Sequence, residues 1–559
     1  MVEWRKRAVS NDGIGLAVFE VHGSEPDDDD RPTVLLVHGW PDTHHLWTHV
    51  APILARDFHV VAYDCRGFGE SDHPSGDATY RLSLLADDLF AVAEAVRPDE
   101  PVHVVAHDWG SIQAWEAVAR PGAENRIASF VSVSGPSLDD LALWVRENVS
   151  HPTPRNLGRL LAQAASSAYT VFFQLPVLPR LFFTAVGSAR LWRAFLHRIE
   201  GTPPHHVVVA TTLRDDMVSG LRLYRANIRP AMTAPQPATT FVPVLEVINE
   251  RDIALRPAIF DGTHRRVQRL WRLRTPTGHW LPYTHPEYLA DVAHDFIATH
   301  APAAGICATG HLDRARLFGM PTPLSGKLAV VTAGGSGLGR ELAFALAEMG
   351  CALVLADTDL PRLDETARQS KAFGAQVSTY DLDLSDTAAV RSFAESVRAA
   401  HGIADIVVND TGIIWSTSTL DAADDDVDHL LEVERGVIAS SRAFGRQMVE
   451  RGVGGHIVNV APAVTSERSR ESAAGAGVIT FSASLRGELA DRRIGVTSVR
   501  PGPHDSSRDD GPHDLSRRAA RAVVAAIIRN KPVATMPSDT TPAHRVAARL
   551  SRIIRRHTA

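Results

Sequence analysis

The chain has 559 residues, 44% hydrophobic and 22% charged, which excludes a disordered polypeptide and exceeds what one core can bury, so two to four domains are expected. A net charge of −7 gives no global attraction to nucleic acid. The three cysteines, Cys65, Cys307 and Cys351, are odd in number, widely spaced and without a metal-ligand pattern; with no apolar signal region behind Met1 and no run long enough to cross a bilayer, they predict a cytoplasmic protein that holds no metal.

In chain order, an acidic run at 27–30 reads as a solvated loop, and short apolar runs at 34–37, 60–63, 102–106 and 128–133 read as buried parallel strands. The first is followed by His38-Gly39-Trp40-Pro41-Asp42 and the second by the glycine-rich stretch Asp64 to Ser71. The third runs into His107-Asp108-Trp109-Gly110, a sharp turn before a helix, which puts the Asp108 side chain at the end of the strand. A carboxylate is already ionised near neutral pH and needs no base to act as a nucleophile. It suits displacement at a saturated carbon, in an epoxide or a carbon–halogen bond. The backbone N–H groups of Trp40 and Trp109 are placed to converge as an oxyanion hole.

From about 137 to 240 the strand–helix alternation stops. Helix-like segments rich in Leu, Phe, Ala and Arg take over, and are read as a helical lid inserted in the sheet. Strands resume at 244–248 and near 269–274, with a helix over 286–299. Asp252 follows the first of these strands and His279, in Thr277-Gly278-His279-Trp280, follows the second. Nucleophile, acid and base thus stand in order, each at the C-terminal end of a strand.

On His38-Gly39-Trp40-Pro41, His107-Asp108-Trp109-Gly110, Asp252 and His279, residues 1–300 resemble the epoxide hydrolases of the α/β-hydrolase fold. The haloalkane dehalogenases share the aspartate elbow, so the lid has to separate the two. Tyr169, five residues before Gln174, and Tyr224 in Leu223-Tyr224-Arg225 resemble the family's lid tyrosines, whose phenols hold and protonate the epoxide oxygen. The resemblance implies attack by Asp108, an ester intermediate, and its hydrolysis by water that His279 activates, oriented by Asp252, with no cofactor. Phe172, Phe173, Leu175 and Phe182 suggest a lipophilic epoxide; packing between lid helices accounts for them equally well.

Residues 301–325, punctuated by Gly and Pro, are read as a linker to a second domain over 326–559. There an apolar strand at 328–332 leads into Ala333-Gly334-Gly335-Ser336-Gly337-Leu338-Gly339, a helix through Glu348, and a strand at 352–356 ending at Asp357. This is the dinucleotide-binding order of strand, glycine turn, helix, strand and acid. With Asp383, Asn409-Asp410-Thr411-Gly412 and Arg500-Pro501-Gly502 it resembles the short-chain dehydrogenase/reductases, a doubly wound Rossmann-like fold. That resemblance implies NAD rather than NADP at Gly335, Gly337, Gly339, Asp357, Asp383 and Asn409.

The departures are as informative. Ala333 replaces the family's first glycine, and Pro462 stands where a Ser is expected. A gapped alignment puts Glu471 and Gly475 at the Tyr and Lys places, and Glu434 sits near the family's helical Asn. The last tyrosine of the chain is Tyr380, and Lys531 is the only lysine after Lys371, so no Tyr-x-x-x-Lys pair exists in the catalytic region. The second domain is therefore expected to lack dehydrogenase activity. Homo-oligomer assembly and nucleotide sensing are its open roles. A basic amphipathic stretch, Val546, Leu550, Ile553 and Ile554 among arginines, offers a peripheral membrane contact, although docking on its own domain is the commoner fate. The whole resembles actinobacterial hydrolase–reductase fusions, which implies epoxidised lipids as substrates. Three readings stand: an epoxide hydrolase with a degenerate partner domain, a bifunctional enzyme that oxidises its own diol, and a non-catalytic nucleotide-responsive scaffold.

Overall fold

The computed structural model describes residues 3–21, 31–301, 306–317, 319–412, 414–415, 423–461, 463–464, 473–500 and 512–535. The chain divides into two compact units, Met1–Pro321 and Thr322–Ala559.

The first unit is built on eight strands: β1 (Trp4–Asn11), β2 (Ile14–Val21), β3 (Thr33–Val37), β4 (His59–Tyr63), β5 (Val102–His107), β6 (Ile127–Val133), β7 (Val244–Asn249) and β8 (Leu270–Thr275), in the order β1-β2-β4-β3-β5-β6-β7-β8. β3 to β8 are parallel, and β1 and β2 form an antiparallel hairpin that joins the sheet on β4. The six parallel strands contain the apolar runs of the sequence, because a strand covered on both faces has no polar side to show. In the hairpin β2 has such a run, Leu16 to Phe19, and β1 has none. The exposed Arg5 and Lys6 break up β1, and the hairpin turn is made by Asp12 and Gly13, both at positive φ.

Parallel pairing puts the C-terminal ends of β3, β5, β7 and β8 at one edge of the sheet, so the loops carrying Trp40, Asp108, Asp252 and His279 emerge together. A helix, α1 (Trp109–Val118), leaves β5 at the elbow. Between β6 and β7 run seven α-helices: α2 (Leu138–Ser150), α3 (Pro154–Ser166), α4 (Ala168–Phe173), α5 (Leu178–Val186), α6 (Ala189–Glu200), α7 (Leu213–Ser219) and α8 (Leu221–Thr233). They form the lid, and α9 (Pro286–His300) follows β8. Part of the stretch read as linker packs on this unit: Leu312 and Ala315 are buried, Arg316 forms a bridge to Trp271, and the Leu317 N–H donates to the Leu270 carbonyl at 2.8 Å. Its glycines and prolines interrupt regular structure without preventing burial.

The second unit holds a sheet of seven strands, all parallel: β9 (Leu328–Thr332), β10 (Ala352–Asp357), β11 (Val377–Asp381), β12 (Ile406–Asn409), β13 (Gly455–Val460), β14 (Ile494–Arg500) and β15 (Val533–Thr535), in the order β11-β10-β9-β12-β13-β14-β15. The chain order reverses between β9 and β12, and the turn after β9 opens α10 (Gly337–Glu348) at that switch point. Two further helices matter below, α11 (Asp424–Arg451) and α12 (Ala473–Leu489). Pro462, Glu471, Pro501-Gly502 and the basic C-terminal stretch lie outside the described residues.

Candidate active site

β5 ends at His107, and Asp108 takes φ 52° and ψ −123° before α1 begins. A non-glycine residue at positive φ is strained, and the strain turns the carboxylate away from the strand toward the loop after β3. There Oδ2 accepts a hydrogen bond from the Trp40 N–H at 2.8 Å, and the Trp109 N–H is also directed at the carboxylate. The approach needs a glycine: a Cβ at Gly39 would lie 2.5 Å from Asp108 Oδ2 and 2.7 Å from the Trp109 nitrogen. Burial pushes Asp108 above its ordinary value, against the opposing pull of His279 and the two N–H groups.

His279 Nδ1 lies 2.8 Å from Asp252 Oδ2, and its Nε2 faces Asp108 Oδ1 at 3.6 Å. Asp252 is fixed in turn, its Oδ1 accepting from the N–H groups of Ala254 and Leu255 at 2.8 and 2.9 Å. Burial disfavours the charged imidazolium. The carboxylates of Asp252, Asp108 and Glu200 outweigh it and raise His279 to about 9. Asp252 is likewise lowered: its burial is outweighed by His279 and the loop N–H groups.

A cavity of about 440 Å³ opens over these groups, with Trp40, Asp108 and His279 at one side and Tyr169 and Tyr224 in its wall. The two tyrosine rings have their centroids 6.0 Å apart. Tyr224 is 3% exposed, wedged edge-on against Trp109 at 4.8 Å and Phe173 at 4.9 Å, whereas Tyr169 keeps 37% of its surface open. Burial, Tyr169 and the Asp108 carboxylate hold the Tyr224 phenol well above its ordinary value, so it stays a proton donor. Phenylalanine, tryptophan and aliphatic side chains make up most of the remaining wall. The five residues read as catalytic and the two oxyanion donors therefore meet at one place.

Two buried acids in the surroundings were not read as site residues from the sequence. Glu200, at the end of α6, accepts the His279 N–H at 2.9 Å. Asp42 accepts from Trp280 Nε1 at 3.1 Å and from the Tyr283 hydroxyl at 2.9 Å, and burial pushes it up to about 7. The His279 carbonyl is held from the other side by His107 Nε2 at 2.9 Å and the Ser134 hydroxyl at 3.1 Å. Asp42 stands in the run after β3 and His107 in the elbow motif; nothing in the chain marks Glu200 or Ser134.

In the second unit, the turn after β9 holds Ala333 at φ 51° and Gly337 at φ 54°, and the Ser336 side chain makes no capping bond at the N-terminus of α10. Asp357 closes β10 beside this turn, its Oδ2 accepting from the Gly335 N–H at 2.9 Å. Gly335, Gly337, Gly339 and Asp357 thus lie together around the N-terminus of α10, the place where a dinucleotide-binding fold holds pyrophosphate and ribose. Of the two other residues read as cofactor contacts, Asp383 is exposed and Asn409 departs from that reading. Asp383 folds onto its own turn, accepting from the Ser385 N–H and hydroxyl at 2.9 and 2.7 Å. Asn409 is fully buried, its amide spent on Ser440, Ser441 and Asn459. Burial raises Glu434, on α11, to about 7, and its carboxylate faces Gly477 on α12. Among the described residues no group of three His, Cys, Asp or Glu could hold a metal ion, and no helix is long and apolar enough to cross a membrane.

The family described as alpha/beta hydrolase fold matches residues 32–238, and that described as short chain dehydrogenase matches residues 327–511. A Mycobacterium tuberculosis protein described as "Probable oxidoreductase EphD" is 40% identical over 510 residues, 89% of this chain and 84% of its own length. Epoxide hydrolase 3 of Mus musculus is 27% identical over 266 residues, 46% of this chain and 68% of the mouse protein. The crystal structure of a metagenomic short-chain oxidoreductase in complex with NADP is 28% identical and covers 39% of this chain and 100% of its own, with a TM-score of 0.34.

Proposed function

Since the chain belongs to the family of the mycobacterial EphD proteins, an epoxide hydrolase-like α/β-hydrolase unit joined to a short-chain dehydrogenase unit, we propose that its first unit opens a lipophilic epoxide to a vicinal diol through an ester on Asp108. The observation that carries this reading is the convergence of Asp108, His279, Tyr169 and Tyr224 on one aromatic-walled cavity.

Asp108 Oδ attacks one ring carbon, the carbon–oxygen bond breaks, and a phenol of Tyr169 or Tyr224 gives its proton to the departing oxygen. The new ester no longer carries the charge that helped to hold the proton on His279. The imidazolium then yields that proton, with the tyrosinate as acceptor, and Nε2 becomes a base. It takes a proton from water, whose oxygen attacks the ester carbonyl while the Trp40 and Trp109 N–H groups hold the oxyanion. Collapse releases the diol, whose new hydroxyl takes its proton from His279, and leaves Asp108 as the carboxylic acid, which passes its proton to His279 and restores the resting pair. A dehalogenase would instead aim N–H donors at a halide; the Trp40 indole N–H is spent on the Met217 carbonyl at 3.1 Å, which favours the epoxide.

A single turnover in water labelled with heavy oxygen tests the scheme. Water attacks the ester carbonyl, so the label enters Asp108 and the first diol released is unlabelled. Label in that first diol means direct attack of water on the epoxide and sinks the ester.

For the second unit, the backbone of Gly335, Gly337 and Gly339 and the carboxylate of Asp357 are the groups that would hold NAD, a carrier of hydride when bound. Asp357 suits a free ribose hydroxyl and repels a phosphate there. With no tyrosine after Tyr380 in the chain, no phenol is available to move the proton that accompanies hydride transfer. We infer a unit that binds the nucleotide without turning it over. NADH fluorescence titration, together with absorbance in the presence of NAD and diol, checks both halves of that statement: reduction of NAD would establish the bifunctional reading instead.

A further inference from the structure

The lid carries an apolar surface that its own packing leaves partly open. On α5, Leu178, Leu181 and Phe182 share a face and are exposed, Leu181 at 60%, while Phe183 turns inward and is buried. On α6, Leu191 and Phe195, one turn apart, are exposed, Leu191 at 52%, while Trp192 and Leu196 are buried. Each helix is thus apolar on both sides, and a helix of that kind is either wholly buried or has a partner. Phe182, Leu191 and Phe195 also line the cavity, so the two exposed stripes meet at its mouth.

The two helices that bear this surface carry arginines and no acid before Glu200, and the neighbouring α7 adds one exposed acid, Asp215. Between His151 and Ile199 the sequence has six arginines and no Asp or Glu, in a chain whose net charge is −7. Arg180, Arg190 and Arg198 are exposed and take part in no ion pair among the described residues. A symmetric contact with a second copy would bring arginines against arginines. A layer of anionic headgroups over hydrocarbon complements both features at once.

We propose that the face of the lid formed by α5 and α6 docks on an anionic lipid bilayer. The cavity mouth then opens at the hydrocarbon, where a lipophilic epoxide partitions; this last clause rests on the function proposed above, and the docking does not.

Flotation of the full chain with vesicles reads binding without turnover. The expected result is binding to vesicles in which about a third of the lipid is phosphatidylglycerol, at least about tenfold stronger than to phosphatidylcholine alone and weakened by salt. The double substitution Leu178→Glu with Leu181→Glu, outside the cavity wall, lowers binding by more than about tenfold while the thermal unfolding midpoint holds. The triple substitution of Arg180, Arg190 and Arg198 to Gln leaves the apolar stripe and removes the preference for the anionic vesicle. Undiminished flotation of both variants, as a contact through the basic C-terminal stretch would give, overturns the proposal. So does flotation with neither vesicle, or self-association by light scattering that the leucine substitutions abolish. A chain that floats but releases no diol overturns the hydrolase and leaves the docking standing.

Discussion

The carboxylate of Glu200 accepts a hydrogen bond from the backbone N–H of His279 at 2.9 Å, although the two residues are 79 positions apart. The last residue of a lid helix thereby fixes the loop that carries the proposed base. The contact is close: a Cβ on Gly278 would overlap the Glu200 carboxylate.

Glu200→Gln keeps an acceptor for the N–H but removes a charge that raises His279. Its rate of ester hydrolysis is therefore expected to reach its plateau at lower pH than in the parent, with KM little changed. Glu200→Ala loses the acceptor too, and kcat falls by about tenfold or more. A pH profile of kcat for the three proteins separates the two effects; identical profiles would mean that Glu200 serves only to close the lid.

Asp108→Asn is expected to abolish diol formation, and His279→Gln to stop the reaction half-way. Intact-mass measurement of His279→Gln after exposure to an epoxide then shows a stable gain equal to the mass of that epoxide, which Asp108→Asn does not show. Normal turnover by His279→Gln would remove the imidazole from the scheme.

Tyr169→Phe and Tyr224→Phe each leave one phenol at the ring oxygen. Each is expected to slow ester formation by about ten- to a hundredfold, and the double substitution by more than either. Stopped-flow quenching of tryptophan fluorescence follows this step, since Trp40 lines the cavity and Trp109 lies against Tyr224. A single substitution as damaging as the double would show that the two phenols act as one unit.

The ion pairs of His279 also make stability depend on pH. The pKa in the folded protein is about 9 against an ordinary value of 6.5. The stabilisation from the charged imidazole is therefore fully present below about pH 6.5 and is lost as the pH rises through about 9. The gap in thermal unfolding midpoint between the parent and His279→Gln is expected to be wide at the lower end of that window and to narrow across it. A gap that widens with pH would reverse the sign of the coupling.

The candidate constellation was legible because it depends on residue type and order at strand ends: Asp108, Asp252 and His279 each stand just after a parallel strand. The lid tyrosines were found through their neighbours, Gln174 and Arg225, rather than through any periodicity. What the sequence hid depends on long-range partners. Glu200 meets a backbone N–H, which leaves no trace in the sequence, and β1 presents arginine and lysine to solvent where a strand reading looks for apolar residues. Asn409 shows the converse. Its position in the chain points to a ligand, yet its side chain is consumed by a buried network with Ser440, Ser441 and Asn459.

Ala333 presents protein engineering with an unusual opening. The turn after β9 keeps a left-handed backbone at φ 51° where the residue carries a methyl group that this conformation disfavours. Restoring glycine would release about 1 kcal/mol of strain, partly offset by the greater freedom of the unfolded chain, and would leave the surrounding turn unchanged. A rise in the thermal unfolding midpoint of the second unit on Ala333→Gly would mark a position where the fold still holds the shape suited to a residue it no longer has, and where stability can be recovered without redesigning anything around it.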